Sequence, residues 1–337
     1  MRRMLFISLM LLTSLAMSHP DEPRWEKVLD GMRVECIAPD PSSPAVFAGT
    51  ITKGLYKGTD HGRRWRRTDK GIHSMAWIYS IAVNPNDPKV IYAATEGGVY
   101  RSEDGGENWG KTGMNNTAFT VAINPKNPNI VYAGQYMTEN GGRKWEMIGF
   151  LVKMSEHPYR IVIDPKRPEL LYAAMFSTHG FKSPDSGKRW KRIINDRVWY
   201  VAINTVHTNV VYFCGERGVY KSVNGGRTWD LRNRGLPGAS VNCLLVDPID
   251  PQVVYAGLRG IGVFKSDDGG GNWRELGRGF SDVGVIFEMT INPSDPNYLY
   301  VCTSSGVWRL KLSPRKPYPI GNLGELLAIW GSIKQNR

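Results

Sequence analysis

The chain has 337 residues, 22% charged and 41% hydrophobic, with a formal net charge of +12. That length suits two average domains, and the basic charge comes without any reader motif for nucleic acid, which is therefore not an expected partner. Its four cysteines lack the Cys-x-x-Cys and His spacings of a zinc site, so no metal and no cofactor is expected.

Residues 1–18 carry Arg2 and Arg3, an apolar run over 5–17 and the small-residue site Ala16-Met17-Ser18, which together read as a signal peptide. The run is too short for a comfortable membrane span, and no Cys follows it to carry a lipid. The expected product is secreted or periplasmic, starts near His19, is not transmembrane after processing, and keeps a charge of +10 once Arg2 and Arg3 are gone.

From 19 to 312 one unit recurs, clearest at 81–109 (IAVNPNDPKVIYAATEGGVYRSEDGGENW). A short strand ends in a proline-bounded turn and a β-branched and aromatic run returns through Tyr92. After Gly97-Gly98 a third strand follows, and the Trp109 turn starts a fourth. Such a sheet is too small to bury its own faces and needs neighbours. Phe47, Tyr132, Tyr172, Tyr212, Tyr255 and Tyr300 repeat the Tyr92 landmark at 40- to 45-residue spacing, which makes seven units. Only the fifth, at Asn204-Thr205-Val206-His207-Thr208, has lost the turn prolines. The third is short between Tyr132 and Thr138, so a notch is expected there on the face that carries the interblade connectors.

Six units end in a Ser-x-Asp-x-Gly-x-x-Trp-like turn: Asp60 and Trp65; Ser102, Asp104 and Trp109; Thr138, Asn140 and Trp145; Ser183, Asp185 and Trp190; Ser222, Asn224 and Trp229; Ser266, Asp268 and Trp273. Ser and Asp oxygens satisfy turn amides, Gly takes positive φ and Trp plugs the gap between strands, so these residues fasten the blade. Asp268-Gly269-Gly270 lacks the alternating oxygens of a calcium loop. The seventh unit stops after its third strand, whereas 23–28 supplies a lone fourth strand with Trp25. The expected fold is all-β: a seven-bladed β-propeller of four-stranded antiparallel blades, closed by the N-terminal strand completing the last blade. The tail at 313–337 places Leu323, Leu326, Leu327, Trp330 and Ile333 at helical spacing behind a capping box, so a short amphipathic C-terminal helix is expected.

The Trp-ended turn resembles the Asp-box, or bacterial neuraminidase (BNR) repeat, and the chain is similar to the propellers that use it. Sialidases with this box are typically six-bladed and use an arginine triad with a Tyr and Glu pair. Here Arg160-Ile161 is followed by Val162 in mid-chain, and the triad does not carry over. The Asn-Pro-x-x-Pro and Val-Tyr-Ala segments resemble the xyloglucan-cleaving enzymes, which join two propellers. Sortilin-type receptors and photosystem II assembly factors imply instead a scaffold that binds peptides or proteins without hydrolysis.

Departures from the repeat cluster in the connectors and second turns, which ring the channel. The candidate ligand-binding residues are His73, Trp77, His157, Tyr159, Arg160, His179, Arg197, Trp199, Glu216, Arg217 and Arg259. Aromatic, cationic and carboxylate groups mixed in this way suit a polar ligand such as a sugar or peptide. The reading is an exported, non-enzymatic module for a protein or glycan. The alternative is a glycoside hydrolase, with Glu96, Glu156, Asp196, Glu216 and Asp282 as candidate catalytic carboxylates. The clusters Arg63, Arg64, Arg66, Arg67 and Lys188, Arg189, Lys191, Arg192 either discourage edge pairing on outer strands or form a basic rim for acidic polysaccharide or an anionic surface. Cys36 and Cys243 share one repeat position and Cys214 and Cys302 another; alternation reads the two positions as facing opposite ways, so Cys36 with Cys302 and Cys214 with Cys243 stand one blade apart and are expected either as disulfides or as buried thiols.

Overall fold

The computed structural model describes residues 23–149, 157–175, 178–238, 240–280 and 284–313; the leader and the C-terminal helix expected above lie outside them. The fold is an all-β propeller of seven four-stranded antiparallel sheets, with no helix among the described residues. Blade two shows the plan: Ile78–Val83 innermost, then Ile91–Thr95, Gly98–Ser102 and the two-residue outer strand Gly110–Lys111. The second and third strands of most blades are buried almost throughout, because both faces meet a neighbouring sheet. Blade seven is ordered Trp25–Asp30, Gly306–Lys311, Asp295–Thr303, Ile286–Asn292, with Trp25 opposite Leu310 and Asp30 opposite Gly306.

Each hairpin turn is held by the Asp or Asn that ends the inner strand. Asp40, Asn84, Asn124, Asp164, Asn204, Asp247 and Asn292 each accept the amide two residues on, at 2.9–3.0 Å. Blade five therefore turns without its prolines, since Asn204 still accepts from Val206 and His207.

The boxes fasten their own turn and the next blade at once. Ser102 Oγ donates to Asp104 (2.8 Å) and accepts from Gly106 N (2.9 Å), and Ser183, Ser222, Ser266 and Thr138 repeat both bonds. Trp109 Nε1 donates back to Thr68 O of blade one (2.8 Å), and Trp273 likewise to Arg232 O of blade five. Trp25 takes the same part for blade seven, donating to Leu276 O of blade six. The landmark tyrosines reach forward: Tyr92, Tyr172 and Tyr212 donate to the box carbonyls of Gly141, Gly225 and Gly269 at 3.1–3.2 Å. Phe47 has no hydroxyl, and Lys57, over its ring, donates to Gly105 O instead.

Box carboxylates are held low by these bonds. Asn108 and Ser102 bring Asp104 down to about 2, and Asn272 and Ser266 lower Asp268 further. Because the folded value lies below the unfolded one of about 3.9, the contribution is complete above that pH. It is lost as pH falls through the folded value. Asp104→Asn should keep the fold at pH 7, since Asn140 and Asn224 occupy the same place, and should flatten acid unfolding below pH ~4. Acid titration of both proteins by circular dichroism checks this, and identical curves would exclude Asp104 from the acid response.

The disulfides do not form: Cys36, Cys214, Cys243 and Cys302 are all free and buried. The expectation set the two repeat positions on opposite faces, but they are cross-strand partners, Cys36 opposite Gly49 and Cys302 opposite Glu288, and so point the same way. Cys302 packs toward blade one with Val34 and Val46, whereas the Cys36 thiol turns to blade two and lies 3.6 Å from Ile78 O. Cys214 pairs with Tyr200 and Cys243 with Gly257, so the second couple is separated in the same manner. Burial pushes all four thiols well up. Native protein should leave a thiol reagent unreacted, unfolded protein should yield four thiols, and a non-reducing mass lower by two hydrogens would contradict this.

Candidate functional site

The connector face is shaped by a β-bulge near the start of the inner strand. Register slips between Val34 and Cys36, Ile78 and Ser80, Pro158 and Arg160, Val198 and Tyr200, Val241 and Cys243, and Ile286 and Glu288. A bulge leaves one residue out of the ladder and re-aims its side chain. Those residues are Glu35, Tyr79, Tyr159, Trp199, Asn242 and Phe287, and Phe119 falls at the same repeat position in blade three. Their contacts converge on the axis, for Tyr159 of blade four donates to Glu35 of blade one at 3.3 Å.

Half-buried rings form a file across blades two to four. Trp77, 44% exposed, meets Tyr79 edge-on at 6.2 Å between centroids, and Tyr79 meets Phe119 at 4.8 Å. Phe119 then meets His157 at 6.0 Å and Tyr159 at 6.4 Å. Blade three's abbreviated turn, Gly134-Gln135, lies between Val131–Ala133 and Tyr136–Thr138, and Gln135 Nε2 bonds His157 Nδ1 at 3.2 Å beside the file. Across the mouth, Arg33 stacks over Phe287 at 4.5 Å and bonds Glu35 at 2.9 Å.

Beneath the file, Arg160 of blade four pairs with Glu288 of blade seven and stacks over Tyr200 at 4.8 Å. Glu288 also accepts from Tyr200 (3.4 Å) and from the Ile37 amide of blade one (3.0 Å). This hub ties blades one, four, five and seven. Burial and Glu35 hold the Tyr159 phenol far above its ordinary range, so it is a neutral donor and not a phenolate nucleophile.

Of the residues singled out from sequence, Trp77, His157, Tyr159 and Arg160 are brought together. Trp199 stands at the rim, with Nε1 on Val241 O at 2.9 Å. His73 is exposed on the connector before Trp77, and Arg259 at the tip of blade six. The remainder pair locally: His179 with Arg192 (3.2 Å), Arg197 with Glu216 (3.9 Å), and Asp196 with Arg217 (3.2 Å) and Tyr220 (2.5 Å). Glu96 accepts from the Trp77 amide at 2.6 Å. Glu156 and Asp282 lie outside the described residues. The basic clusters are largely exposed and partly neutralised, Arg66 by Glu107, Arg67 by Asp69 and Arg189 by Asp185. Sequence reasoning missed Arg33, Glu35, Tyr79, Phe119, Phe287 and Glu288. The available signal was the recurrence of Glu35, Tyr79, Phe119 and Phe287, with Tyr159 and Trp199, in one column of the repeat, and of Glu288, with Arg160, in the next.

No family model matches the sequence, and no curated protein matches it. In structure the chain is similar to a GH74 enzyme of Niastella koreensis (TM-score 0.72, 16% identity, 85% of this chain and 53% of that one). It is also similar to a GH74 xyloglucanase from Xanthomonas campestris (TM-score 0.69, 17% identity, 85% and 53%). YCF48 bound to D1 peptide matches along nearly its whole length (TM-score 0.69, 12% identity, 90% and 99%). The chain thus spans about half the length of those GH74 structures. At these identities the likeness shows the fold alone.

Proposed function

We propose that the chain is an exported, non-enzymatic recognition propeller that holds an extended partner, a protein segment or a glycan, on its connector face. The observation that carries this is the file Trp77, Tyr79, Phe119, His157 and Tyr159 at a mouth whose central carboxylates are already bonded. Rigid rings present a large flat area at little entropic cost. Glycosidic cleavage needs one carboxyl free to give a proton and another free to act as base or nucleophile. All four oxygens of Glu35 and Glu288 accept from Arg33, Tyr159, Arg160, Tyr200 or an amide, which favours binding over hydrolysis. The whole-length likeness to a peptide-bound propeller, against a half-length likeness to GH74 enzymes, favours a protein segment. The exposed arginines of blades one and four would add affinity for an anionic surface.

The test is to offer the mature protein immobilised peptides and neutral and acidic glycans, recording retention and release of reducing ends together. Retention without release is expected. Release abolished by Glu35→Gln or Glu288→Gln would overturn the non-enzymatic reading.

A further inference from the structure

Glu96 stands at the tip of blade two, in the turn between Ile91–Thr95 and Gly98–Ser102, where the aromatic file begins. Its side chain is exposed and only one oxygen is used: Oε2 accepts the Trp77 amide at 2.6 Å, and no cation pairs with it among the described residues. That bond holds the carboxylate beside Trp77, which is 44% exposed and meets Tyr79 at an interplanar angle of 78°. Two rings set nearly at right angles make two walls of a corner, and Glu96 adds a negative charge at its edge.

The charges acting on the Tyr79 ring are two carboxylates and one guanidinium. Burial first, then Glu96 and Glu35, push its phenol up, and Arg33 opposes them. Arg33 is bonded to Glu35 at 2.9 Å, so the charge of Glu96 is the one left without a partner. The two basic clusters of the chain lie elsewhere, at the outer strands Arg64–Arg67 and Lys191–Ile194. Open aromatic faces attract a cation, and a carboxylate beside them supplies a charge-assisted acceptor. An anion would be repelled there.

Beyond the corner the file turns apolar. Phe119 lies 4.8 Å from Tyr79 at a tilt of 51°, and Tyr159 follows at 6.4 Å. Successive rings are not coplanar, so the notches between them suit separate side chains. In an extended segment the side chains on one face recur about every 6.5 Å, which matches one step along the file. Given a partner on the connector face, as proposed above, we infer that it is an extended protein segment carrying a lysine or arginine. The cation sits between Trp77 and Tyr79 beside Glu96, and an apolar side chain two places along meets Phe119.

The test passes a library of randomised nonapeptides, capped at both ends so that no terminal charge remains, over the immobilised protein. Retained peptides should carry a lysine or arginine with an apolar residue two places away. For one such peptide, norleucine in place of the basic residue should weaken binding about tenfold, because ring and carboxylate contacts are lost together. Glu96→Gln keeps an oxygen for the Trp77 amide and should leave the fold intact. It should weaken the basic peptide about fivefold and leave the norleucine peptide unchanged. Retained peptides without a basic residue, or a basic peptide that Glu96→Gln leaves unaltered, would overturn the inference, while binding that falls with Phe119→Ala keeps the connector-face reading. Retention of glycans and of no peptide would likewise overturn the inference alone. Binding that Phe119→Ala leaves unchanged would overturn both.

Discussion

Arg160→Ala should lower stability by about 3 kcal/mol, the low end for breaking a buried pair. The guanidinium faces Glu288 across the axis and stacks on Tyr200, yet 29% of its side chain is still exposed, which limits the loss. Removing it leaves the Glu288 carboxylate, 9% exposed, with only a long Tyr200 bond and one amide. Four blades share this hub, so the loss should appear as one cooperative shift of the denaturant midpoint, not as fraying of one sheet. Arg160→Met combined with Glu288→Leu should recover most of it, since neither charge is then stranded. A midpoint for Arg160→Ala equal to wild type would remove the hub from the stability account.

Arg309→Ala comes next. Arg309 is only 2% exposed; its Nε and Nη2 donate to Glu26 of the N-terminal strand, its Nη1 to His61 O of blade one, and it stacks on Tyr298. It thus ties its own strand of blade seven to the N-terminal strand beside it and to the box turn of blade one. Alanine there should cost about 3 kcal/mol, from the half-buried His61 carbonyl left without its donor and from lost packing of a buried side chain. It should also expose residues 24–33 to limited proteolysis before any other blade. Glu26→Gln should cost below about 1 kcal/mol, because Glu26 is 57% exposed and its share of the pair is screened. Uniform proteolysis of the Arg309 variant across all blades would contradict a latch at this seam.

The blades were legible because each repeats local chemistry: an Asx-held turn, a Gly-flanked third strand and a Trp-ended box. The box bonds follow directly from the oxygens of Ser102 and Asp104 and the amide of Gly106. The prolines, more conspicuous, mattered less than Asn204 and its counterparts, which keep the turn where prolines are lost. The site was only half legible, because the bulge adds one residue to six of the seven inner strands and breaks the alternation by which inward and outward faces are read. Tyr159 and Arg160 stood out as departures from the repeat. Glu35, Tyr79 and Glu288 sat in what looked like ordinary strand, and the same slip misdirected the cysteine faces. Pairings across the axis, such as Tyr159 with Glu35, join residues that no periodicity brings together.

The most direct measurement of the connector-face account is retention of a fixed peptide and glycan panel by wild type and by Phe119→Ala, whose ring lies in the middle of the file. The account predicts a retained ligand whose affinity falls at least about tenfold on losing that ring, with the fold intact by circular dichroism. Ligands bound equally well by both proteins would place recognition elsewhere on the propeller and contradict the account.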